Sequence, residues 1–372
     1  MMVRVAIDAR LLAYQSAGTA TYIRGLISGF QGSKSVDVLA LRSRKDGDPD
    51  GLANLPMQSV WTPCHHRWER WAFGLELAGL NVDVVHSPDF IAPARLVRRW
   101  ARVVTVHDLA FLRFPEFLTP NSLQYYQQIH RSVAEAERII SVSEATRRDL
   151  LELTTALPTK IVVVPEGVNP AFRPISEDEA AKQVLRRFGI ARPYFLFVGT
   201  LEPRKNLGSL LEAFRRFRAT CNAVEPLLVL AGSRGWLTED LDRPIGQLGD
   251  SVRLLGRVSD EDLVPLYNAA LALALVSHYE GFGLPPLEAM ACGRPTLVSN
   301  VASLPEVVGE AGIIVAPDDV DAMSDALREL WQDSTLRQEL GRRALRRASS
   351  FNWRIVARKT EQVYLEAAAC AC

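Results

Sequence analysis

The sequence predicts an α/β protein built from two doubly wound domains, each with a parallel sheet. The chain has 372 residues, which is more than one domain of roughly 100–200 residues requires. Short runs rich in Val and Ile recur without polar alternation, as is typical of strands buried on both faces. Helical stretches separate many of these runs, which is the βα repetition of a parallel sheet.

The first half of the chain contains one βα series. Strands are predicted at 3–7, 36–41, 82–87, 102–108, 138–143 and 160–166. Helices are predicted at 18–30, 119–137 and 143–153. The segment PEGVNPAFRP at 165–174 contains three prolines and a glycine, which interrupt both strands and helices. We therefore predict that the first domain covers residues 1–173.

A second βα series follows this segment. Its strands are predicted at 194–200, 226–232, 252–256, 271–277, 295–300 and 312–317. Its helices are predicted at 206–220, 259–269, 286–291, 320–331, 334–350 and 352–369. Parallel sheets of this type bind ligands beyond the carboxyl ends of their strands. The cleft between two such domains is the default position for a site.

Composition excludes several classes of protein. The chain is 48% hydrophobic and carries 43 basic and 43 acidic residues, so no bulk charge attracts nucleic acid. Its five cysteines form no C-x-x-C pair, which argues against a zinc site or a disulfide framework. Asp8 and Arg10 interrupt the region where a signal peptide would be apolar, and no apolar run approaches the ~20 residues of a membrane span. We expect a cytoplasmic protein with at most peripheral membrane contact.

The segment SHYEGFGLPPLEAMACGRP at 277–295 carries most of the functional information. Gly281 and Gly283, followed by two prolines, delay a helix until the second of these prolines, which places Glu280 in a loop and Glu288 in the first helical turn. The N–H groups of such a turn favour an anion such as phosphate. The glycines let a ligand approach the main chain. In the alternative interpretation, Glu288 only stabilises its own helix and Glu280 is solvated.

The string EGFGLPPLE, with two glutamates spaced E-x7-E, resembles the donor-binding motif of retaining GT-B glycosyltransferases of glycosyltransferase family 4. The resemblance covers nearly the whole chain. Its other matching strings are VTVHDLAFLRFPE, ISVSEATRRDL, FVGTLEPRKNLGSLLEAF, LLGRVSDEDLVPLYNAA, SLPEVVGEAG and FNWRIVARKTEQVY. It implies two Rossmann-like domains facing a cleft, with acceptor bound by 1–173 and nucleotide-sugar donor by 174–351. The closing helix, 352–372, is implied to cross back onto the first domain.

Two cations follow the first strand of the second series. Arg204 and Lys205 would neutralise the donor diphosphate. The alternative is a solvated helix start, although cations there oppose the helix dipole. The resemblance assigns Glu288 to ribose hydroxyls and Glu280 to sugar hydroxyls, and it implies retention of anomeric configuration.

His107 ends a predicted strand, where a lone histidine is more often structural than catalytic. The family pattern has a histidine here, near the transferred sugar. Gly18 matches the first of two family glycines, whereas Ala20 replaces the second. The predicted catalytic residues are His107, Arg204, Lys205 and Glu280. The predicted donor-binding residues are Gly18, Gly199, Arg204, Lys205, Arg257, Val258, Glu280, Gly281, Phe282, Gly283, Leu284 and Glu288.

Two further patterns have weaker interpretations. Asp46, Gly47 and Asp48 spell D-x-D, but they lie in a polar stretch without a flanking strand, which predicts a loop. We therefore expect no metal and no cofactor. The basic and aromatic segments HHRWERWAF (65–73) and RLVRRWAR (95–102) fit a membrane surface or a solvated helix face with tryptophan packed inward.

The predicted function is hexosyl transfer from a nucleotide sugar to a glycan or lipid-linked glycan. The strings EGFGLPPLEAMACG and VHDLAFLRFPE resemble bacterial mannosyltransferases of polysaccharide assembly, so GDP-mannose is the first candidate donor. UDP-hexoses and dTDP-rhamnose are the alternatives. Other classes left open are a sugar-nucleotide epimerase, a phosphorylase of the same fold and a non-catalytic nucleotide-sugar binding subunit.

Overall fold

The chain forms two compact units, Met1–Gly167 with Phe351–Cys372, and Val168–Ser350. The computed structural model describes residues 2–14, 17–44, 55–96, 100–117, 125–221, 225–235 and 239–371. The first change of unit lies inside the proline-rich segment 165–174. No helix among these described residues is long and apolar enough to cross a membrane.

The first unit contains a seven-stranded parallel sheet. Its strands are β1 (Val3–Asp8), β2 (Val36–Ser43), β3 (Met57–Val60), β4 (Val84–Ser87), β5 (Ala101–Val106), β6 (Arg138–Ser141) and β7 (Ile161–Val163). Their order is β3-β2-β1-β4-β5-β6-β7. The chain first winds outward from β1 to β3 and then restarts beside β1 at β4. Ligand crevices form at such a reversal of strand order.

Helices accompany this sheet. They are α1 (Ala17–Gly29), α2 (Glu69–Glu76), α3 (Ala110–Arg113), α4 (Gln128–Glu135), α5 (Glu144–Leu153) and the C-terminal helix, which we label α14 (Trp353–Ala371). The C-terminal helix packs on α1 and on β5. Gly25 permits this contact, because a Cβ atom there would lie 2.0 Å from the Trp353 ring. The helix therefore belongs to the first unit although it ends the chain.

The second unit contains a six-stranded parallel sheet with the order β10-β9-β8-β11-β12-β13. Its strands are β8 (Tyr194–Val198), β9 (Leu227–Ala231), β10 (Val252–Gly256), β11 (Ala272–Leu275), β12 (Thr296–Ser299) and β13 (Gly312–Val315). Its helices are α6 (Glu177–Phe188), α7 (Leu207–Arg218), α8 (Glu239–Leu248), α9 (Asp260–Ala269), α10 (Leu284–Ala291), α11 (Leu304–Val308), α12 (Val320–Gln332) and α13 (Ser334–Ala348). The strand order reverses between β8 and β11.

The burial of the central strands explains why the sequence pattern predicted them. Every residue of β5, β8 and β9 is buried, as expected for central strands covered by helices on both faces. The edge strand β3 has only one buried residue, and the edge strand β10 is mostly exposed. The prediction of two doubly wound parallel sheets is confirmed.

Several element boundaries differ from the prediction. The helix predicted at 119–137 is described only as Gln128–Glu135, and residues 118–124 lie outside the described chain. Helix α10 begins at Leu284 rather than at the second proline. Six elements were missed, namely β3, α2, α3, α6, α8 and α11. Most of these elements are short, or they have too few buried residues to produce a hydrophobic period that can be recognised in the sequence.

Candidate active site

The predicted phosphate-binding cations and the loop glutamate meet at the strand reversal of the second unit. Arg204 and Lys205 lie in a short turn after β8, and Glu280 follows β11. The Lys205 ammonium donates to Glu280 Oε1 at 2.7 Å, and Arg204 Nη1 donates to Glu280 Oε2 at 3.3 Å. Arg204 Nη2 also donates to Glu202 at 2.6 Å. The structure therefore brings three of the four predicted catalytic residues into one cluster.

Glu280 is buried, and both of its carboxylate oxygens accept hydrogen bonds. Its Oε1 also accepts a hydrogen bond from Ser277 at 2.6 Å. Burial would raise the pKa of this carboxyl, but the charges of Lys205 and Arg204, with hydrogen bonds from Lys205 and Ser277, outweigh burial and lower it. Glu280 is therefore a carboxylate at neutral pH.

The loop around Glu280 is fixed by a residue that sequence reasoning did not single out. The Ser303 hydroxyl lies 2.9 Å from the carbonyl oxygen of Glu280 and 2.6 Å from that of Phe282. Phe282 is itself buried. Ser303 lies in a matching string, but nothing in the sequence shows that its side chain reaches back to this loop.

Lys205 is held against the end of β8. Gly199 has φ +149°, a conformation that favours glycine, and a Cβ atom there would lie 3.6 Å from Lys205 Cε. The next residue, Asn206, occupies the N-cap position of α7 but makes no side-chain cap. Its amide instead donates to the carbonyls of Val276 at 3.0 Å and Pro317 at 2.6 Å. These contacts fix the turn that carries both cations.

The start of α10 has few main-chain N–H groups, and they lie at the end of the helix that favours an anion. Gly283 is the N-cap with φ +111°, and the two prolines after Leu284 carry no N–H. The N–H of Leu284, the first helical residue, receives no partner from its own helix. An anion at this end would therefore bind the main chain near Gly283 and Leu284. The early start also places Glu288 in the second turn, so its predicted place in the first turn is wrong.

Glu288 lies in a different environment from Glu280. It accepts a hydrogen bond from the buried hydroxyl of Tyr267 at 2.7 Å. Burial raises the pKa of Glu288 to about 7, and the Tyr267 hydrogen bond only partly opposes this. Tyr267 comes from α9, in the matching string LLGRVSDEDLVPLYNAA. Nothing in the sequence pattern indicated that this helical residue would contact Glu288.

The remaining predicted donor-binding residues lie in both units. Gly281 is buried beside Glu280, and Val258 is half-buried. Arg257 is exposed, and it follows Gly256, whose φ is +68°. Gly18 belongs to the first unit, in the first turn of α1, where a Cβ atom would meet nothing within 4 Å. No contact inside the described structure requires glycine at that position.

His107 belongs to the first unit and makes two short contacts. Its Nδ1 lies 2.8 Å from Glu166 Oε1 and its Nε2 lies 2.9 Å from the Pro88 carbonyl. Both partners are acceptors, so both ring nitrogens carry hydrogen and the ring is an imidazolium. Burial lowers the pKa of His107, but the Glu166 hydrogen bond and charge, the Pro88 carbonyl and Asp89 together raise it. Tyr22 packs edge-on against the ring, with centroids 4.9 Å apart.

A second charged group in the first unit was missed from the sequence. Arg10 is 1% exposed, and its guanidinium contacts Asp8 at 2.6 Å and Glu69 at 2.8 Å. It also lies 3.6 Å over the Phe73 ring. A charged pair directly after the first buried strand was the available signal. This network ties the end of β1 to the start of α2.

The described residues contain no group of three or more His, Cys, Asp or Glu side chains arranged to hold a metal ion. Asp46, Gly47 and Asp48, which spell the D-x-D pattern, lie outside the described residues. The four cysteines that the structure describes are free.

Comparisons with known proteins place this geometry in a family. Residues 16–172 match the family described as Glycosyltransferase Family 4, and residues 185–347 match Glycosyl transferases group 1. O-antigen chain mannosyltransferase B of Escherichia coli is 36% identical over 304 residues, which cover 81% of this chain and 77% of that protein.

Solved structures share the fold. The sucrose-phosphate synthase of Thermosynechococcus elongatus superposes with a TM-score of 0.81 at 21% identity, covering 99% of this chain and 100% of the other. Anabaena Alr3699/HepE, solved with UDP and glucose, superposes with a TM-score of 0.75 at 17% identity, covering 97% and 98%. These likenesses identify the GT-B fold. The chain therefore belongs to glycosyltransferase family 4 and is a group 1 glycosyltransferase.

Proposed function

We propose that this glycosyltransferase moves a mannosyl group from GDP-mannose to a glycan or lipid-linked glycan with retention of anomeric configuration. The observation that carries the proposal is the Arg204–Lys205–Glu280 cluster at the strand reversal of the second unit. It combines two cations suited to a diphosphate with an ionised carboxylate suited to sugar hydroxyls.

The cluster suggests how the bond to the leaving group breaks. As the C–O bond at the anomeric carbon lengthens, negative charge grows on the departing diphosphate and positive charge grows on the sugar. Arg204, Lys205 and the main-chain N–H groups at Gly283 and Leu284 would stabilise the diphosphate. Retention means that the acceptor hydroxyl forms its new bond on the face from which the diphosphate leaves, and the proton of that hydroxyl would pass to an oxygen of the departing diphosphate.

The carboxylates that hold Arg204 and Lys205 have a physical role in this proposal. Glu202 and Glu280 fix both cations before substrate arrives, so little reorganisation is needed when charge develops. Glu280 retains lone pairs that can accept from sugar hydroxyls. Glu288, tied to Tyr267, would accept from ribose hydroxyls, and Gly199, Arg257, Val258, Gly281 and Phe282 would line the rest of the donor site.

His107 would act on the transferred sugar from the first unit. Because both of its N–H groups already donate within that unit, its contribution in this arrangement is a fixed positive charge. A hydrogen bond from His107 to a sugar hydroxyl would require the Pro88 contact to break. Gly18, at the start of α1, is the proposed second contact from this unit.

The proposals for the sugar and for the base of the donor are supported by different observations. The E. coli relative is named a mannosyltransferase, which favours mannose. The UDP-bound structural neighbour shares the fold at 17% identity and keeps a UDP-hexose donor as the alternative, with dTDP-rhamnose behind it. We propose that the reaction needs no metal, because cations and main-chain N–H groups already face the diphosphate position. Its proposed location is the cytoplasm, at the inner face of the cell membrane, where a lipid-linked acceptor would be presented.

The product tests this proposal. We expect purified protein to transfer mannose from GDP-mannose to an oligomannose acceptor in buffer containing EDTA, and NMR of the product to show the α configuration of the donor. A β-linked product would contradict retention. Loss of transfer in EDTA, restored by Mg²⁺ or Mn²⁺, would contradict metal independence. Asp46 and Asp48 would then be candidate metal ligands.

A further inference from the structure

The first unit carries an exposed aromatic surface that the transfer reaction does not use. Trp61 is 74% exposed, Trp68 57%, Trp71 41% and Leu75 62%. All four lie between the end of β3 and the end of α2. Single exposed apolar residues are ordinary, but several large ones in one short segment mark an interaction site. We refer to these four residues as the tryptophan surface.

The acidic residues of this segment are both engaged in hydrogen bonds, with Glu69 buried and Glu76 half-buried. Residues 55–76 are all described and contain two acids, Glu69 and Glu76. Glu69 accepts from Arg10 and from the His65 N–H, both at 2.8 Å. Glu76 accepts from the N–H of Trp61 at 2.6 Å and of Thr62 at 3.0 Å. The two carboxylates therefore stabilise the loop through these hydrogen bonds. The bond to Glu76 also fixes the main chain at Trp61.

The outward charges around the tryptophan surface are basic. The Arg44 guanidinium lies 3.4 Å over the Trp61 ring, that of Arg67 lies 5.6 Å over Trp68, and that of Arg131 lies 5.5 Å over Trp71. Glu135 is the carboxylate beside Arg131, and it also pairs with Arg70 and Arg102. Glu137 pairs with Arg102 and Arg95, so these two carboxylates face four guanidinium groups and positive charge remains in excess.

We infer that the tryptophan surface docks the first unit onto an anionic phospholipid membrane. Tryptophan rings favour the boundary between headgroups and acyl chains, because they are apolar with one polar N–H. The neighbouring arginines would bind lipid phosphates, because an anionic membrane surface attracts basic side chains. The inference does not depend on which nucleotide sugar is the donor.

A glycan and a second copy of this chain fit the tryptophan surface less well than a membrane does. Sugars stack on tryptophan, but an uncharged glycan gives the surplus arginines no partner. A second copy related by a twofold axis would set this basic surface against itself, and like charges across an interface are costly. An anionic membrane satisfies both the rings and the charges.

The second segment predicted to lie on a membrane does not share this surface. Trp100 is 1% exposed, and Arg102 is 6% exposed and paired with Glu135. Arg95 pairs with Glu137 at 2.6 Å. The described residues Arg95, Trp100 and Arg102 fit the alternative in which tryptophan packs inward, because their side chains are committed to packing and ion pairs. Residues 97–99 lie outside the described chain.

Vesicle co-sedimentation of the full chain tests the inference. We expect binding to vesicles of phosphatidylcholine mixed with phosphatidylglycerol, weak binding to phosphatidylcholine alone, and loss of binding as salt is raised. The combined variant Trp61→Ser, Trp68→Ser, Trp71→Ser should bind at least tenfold less. Arg67→Glu and Arg131→Glu should each reduce binding roughly fivefold or more. Matched controls are Leu157→Ser and Leu185→Ser, which change other exposed leucines, and Arg186→Glu.

Two measurements separate lost docking from lost folding. Circular dichroism and acceptor-independent donor hydrolysis should match wild type in every tryptophan and arginine variant. Equal sedimentation with and without phosphatidylglycerol would overturn the inference, as would wild-type binding by the triple variant. It is also overturned if a soluble oligosaccharide quenches tryptophan fluorescence without vesicle binding, or if the triple variant loses a dimer that wild type forms.

Discussion

The two units fix charge at the carboxyl ends of their sheets in different ways. In the second unit, Arg204 and Lys205 face Glu280 across the β8–β11 reversal, and all three lie in two loops. In the first unit, one imidazolium, His107, is held by one carboxylate, Glu166, which lies 59 residues away. The second unit thus has a dense cluster suited to a diphosphate, whereas His107 of the first unit is one ring held by one carboxylate. The comparison predicts that substitutions in the Arg204–Lys205–Glu280 cluster will reduce activity more than substitutions around His107.

The largest effect is expected for Lys205→Ala and Arg204→Ala. Each removes a charge aimed at the leaving diphosphate and should lower donor turnover by roughly 10²-fold. Lys205→Ala should also destabilise the fold by roughly 2 kcal/mol, because buried Glu280 loses a charged partner.

Steady-state kinetics and urea unfolding would measure both effects. Adding Glu280→Gln to Lys205→Ala should restore stability but not turnover. The control is Lys182→Ala, which changes an exposed helix lysine of the same unit. Near wild-type kinetics in both single variants would reject the phosphate assignment.

Glu280→Gln alone should lower kcat by roughly tenfold or more, since a neutral amide forms weaker hydrogen bonds with sugar hydroxyls and orients the cations less firmly. Stopped-flow or steady-state kinetics at saturating donor would measure this effect. An unchanged kcat with a raised KM would mean that Glu280 only binds donor and does not act in the transition state.

Glu166→Gln should have a smaller effect that depends on pH. The wild-type imidazolium is lost as pH rises through the raised pKa of His107. The variant should lose it at lower pH, so the basic limb of the kcat/KM profile should move to lower pH. Asp89 and His86 also face His107 electrostatically, so they remain unchanged in this experiment.

NMR titration of the His107 ring carbons provides a readout that does not depend on activity. His86 is the internal control, because burial lowers its pKa to about 3 and it should stay neutral in both proteins. An unshifted His107 titration in Glu166→Gln would show that Glu166 does not hold the charge.

The smallest effect is expected for Glu288→Gln, which should raise the donor KM severalfold with little change in kcat, because ribose contacts are equal in ground and transition states. Burial raises the pKa of Glu288 to about 7, so the wild-type KM should rise as pH falls through this value and the carboxylate is protonated. Calorimetry with GDP would test the assignment, and unchanged affinity in Glu288→Gln would reject it. Tyr267→Phe should produce a milder form of the same loss.

Sequence reasoning succeeded where the signal is local. The βα pattern predicted both sheets because central strands such as β5 and β8 are wholly buried. Glu280 and Glu288 were singled out because one continuous string carries them. Helix α6 was missed although its signals were present, since Ser176 caps the Glu179 N–H and Gly189 ends the helix with φ +68°.

The contacts that sequence reasoning missed join distant positions. Glu166 reaches His107, Ser303 reaches the carbonyls of Glu280 and Phe282, and Tyr267 reaches Glu288. Only the fold sets such pairs, because each depends on which strand ends meet at a sheet edge. A single sequence contains the residue types but not these distances.

The donor decides the central claim most directly. Purified protein would be incubated separately with GDP-mannose, UDP-glucose, UDP-galactose, UDP-N-acetylglucosamine and dTDP-rhamnose, and released nucleoside diphosphate would be measured for wild type and Lys205→Ala. We predict that GDP-mannose is the dominant donor, since hydroxyls near Glu280 distinguish hexose epimers strongly, and that Lys205→Ala lowers its turnover by roughly 10²-fold. Preference for a uridine or thymidine donor would contradict the mannosyl assignment, and equal turnover by wild type and Lys205→Ala would contradict the site.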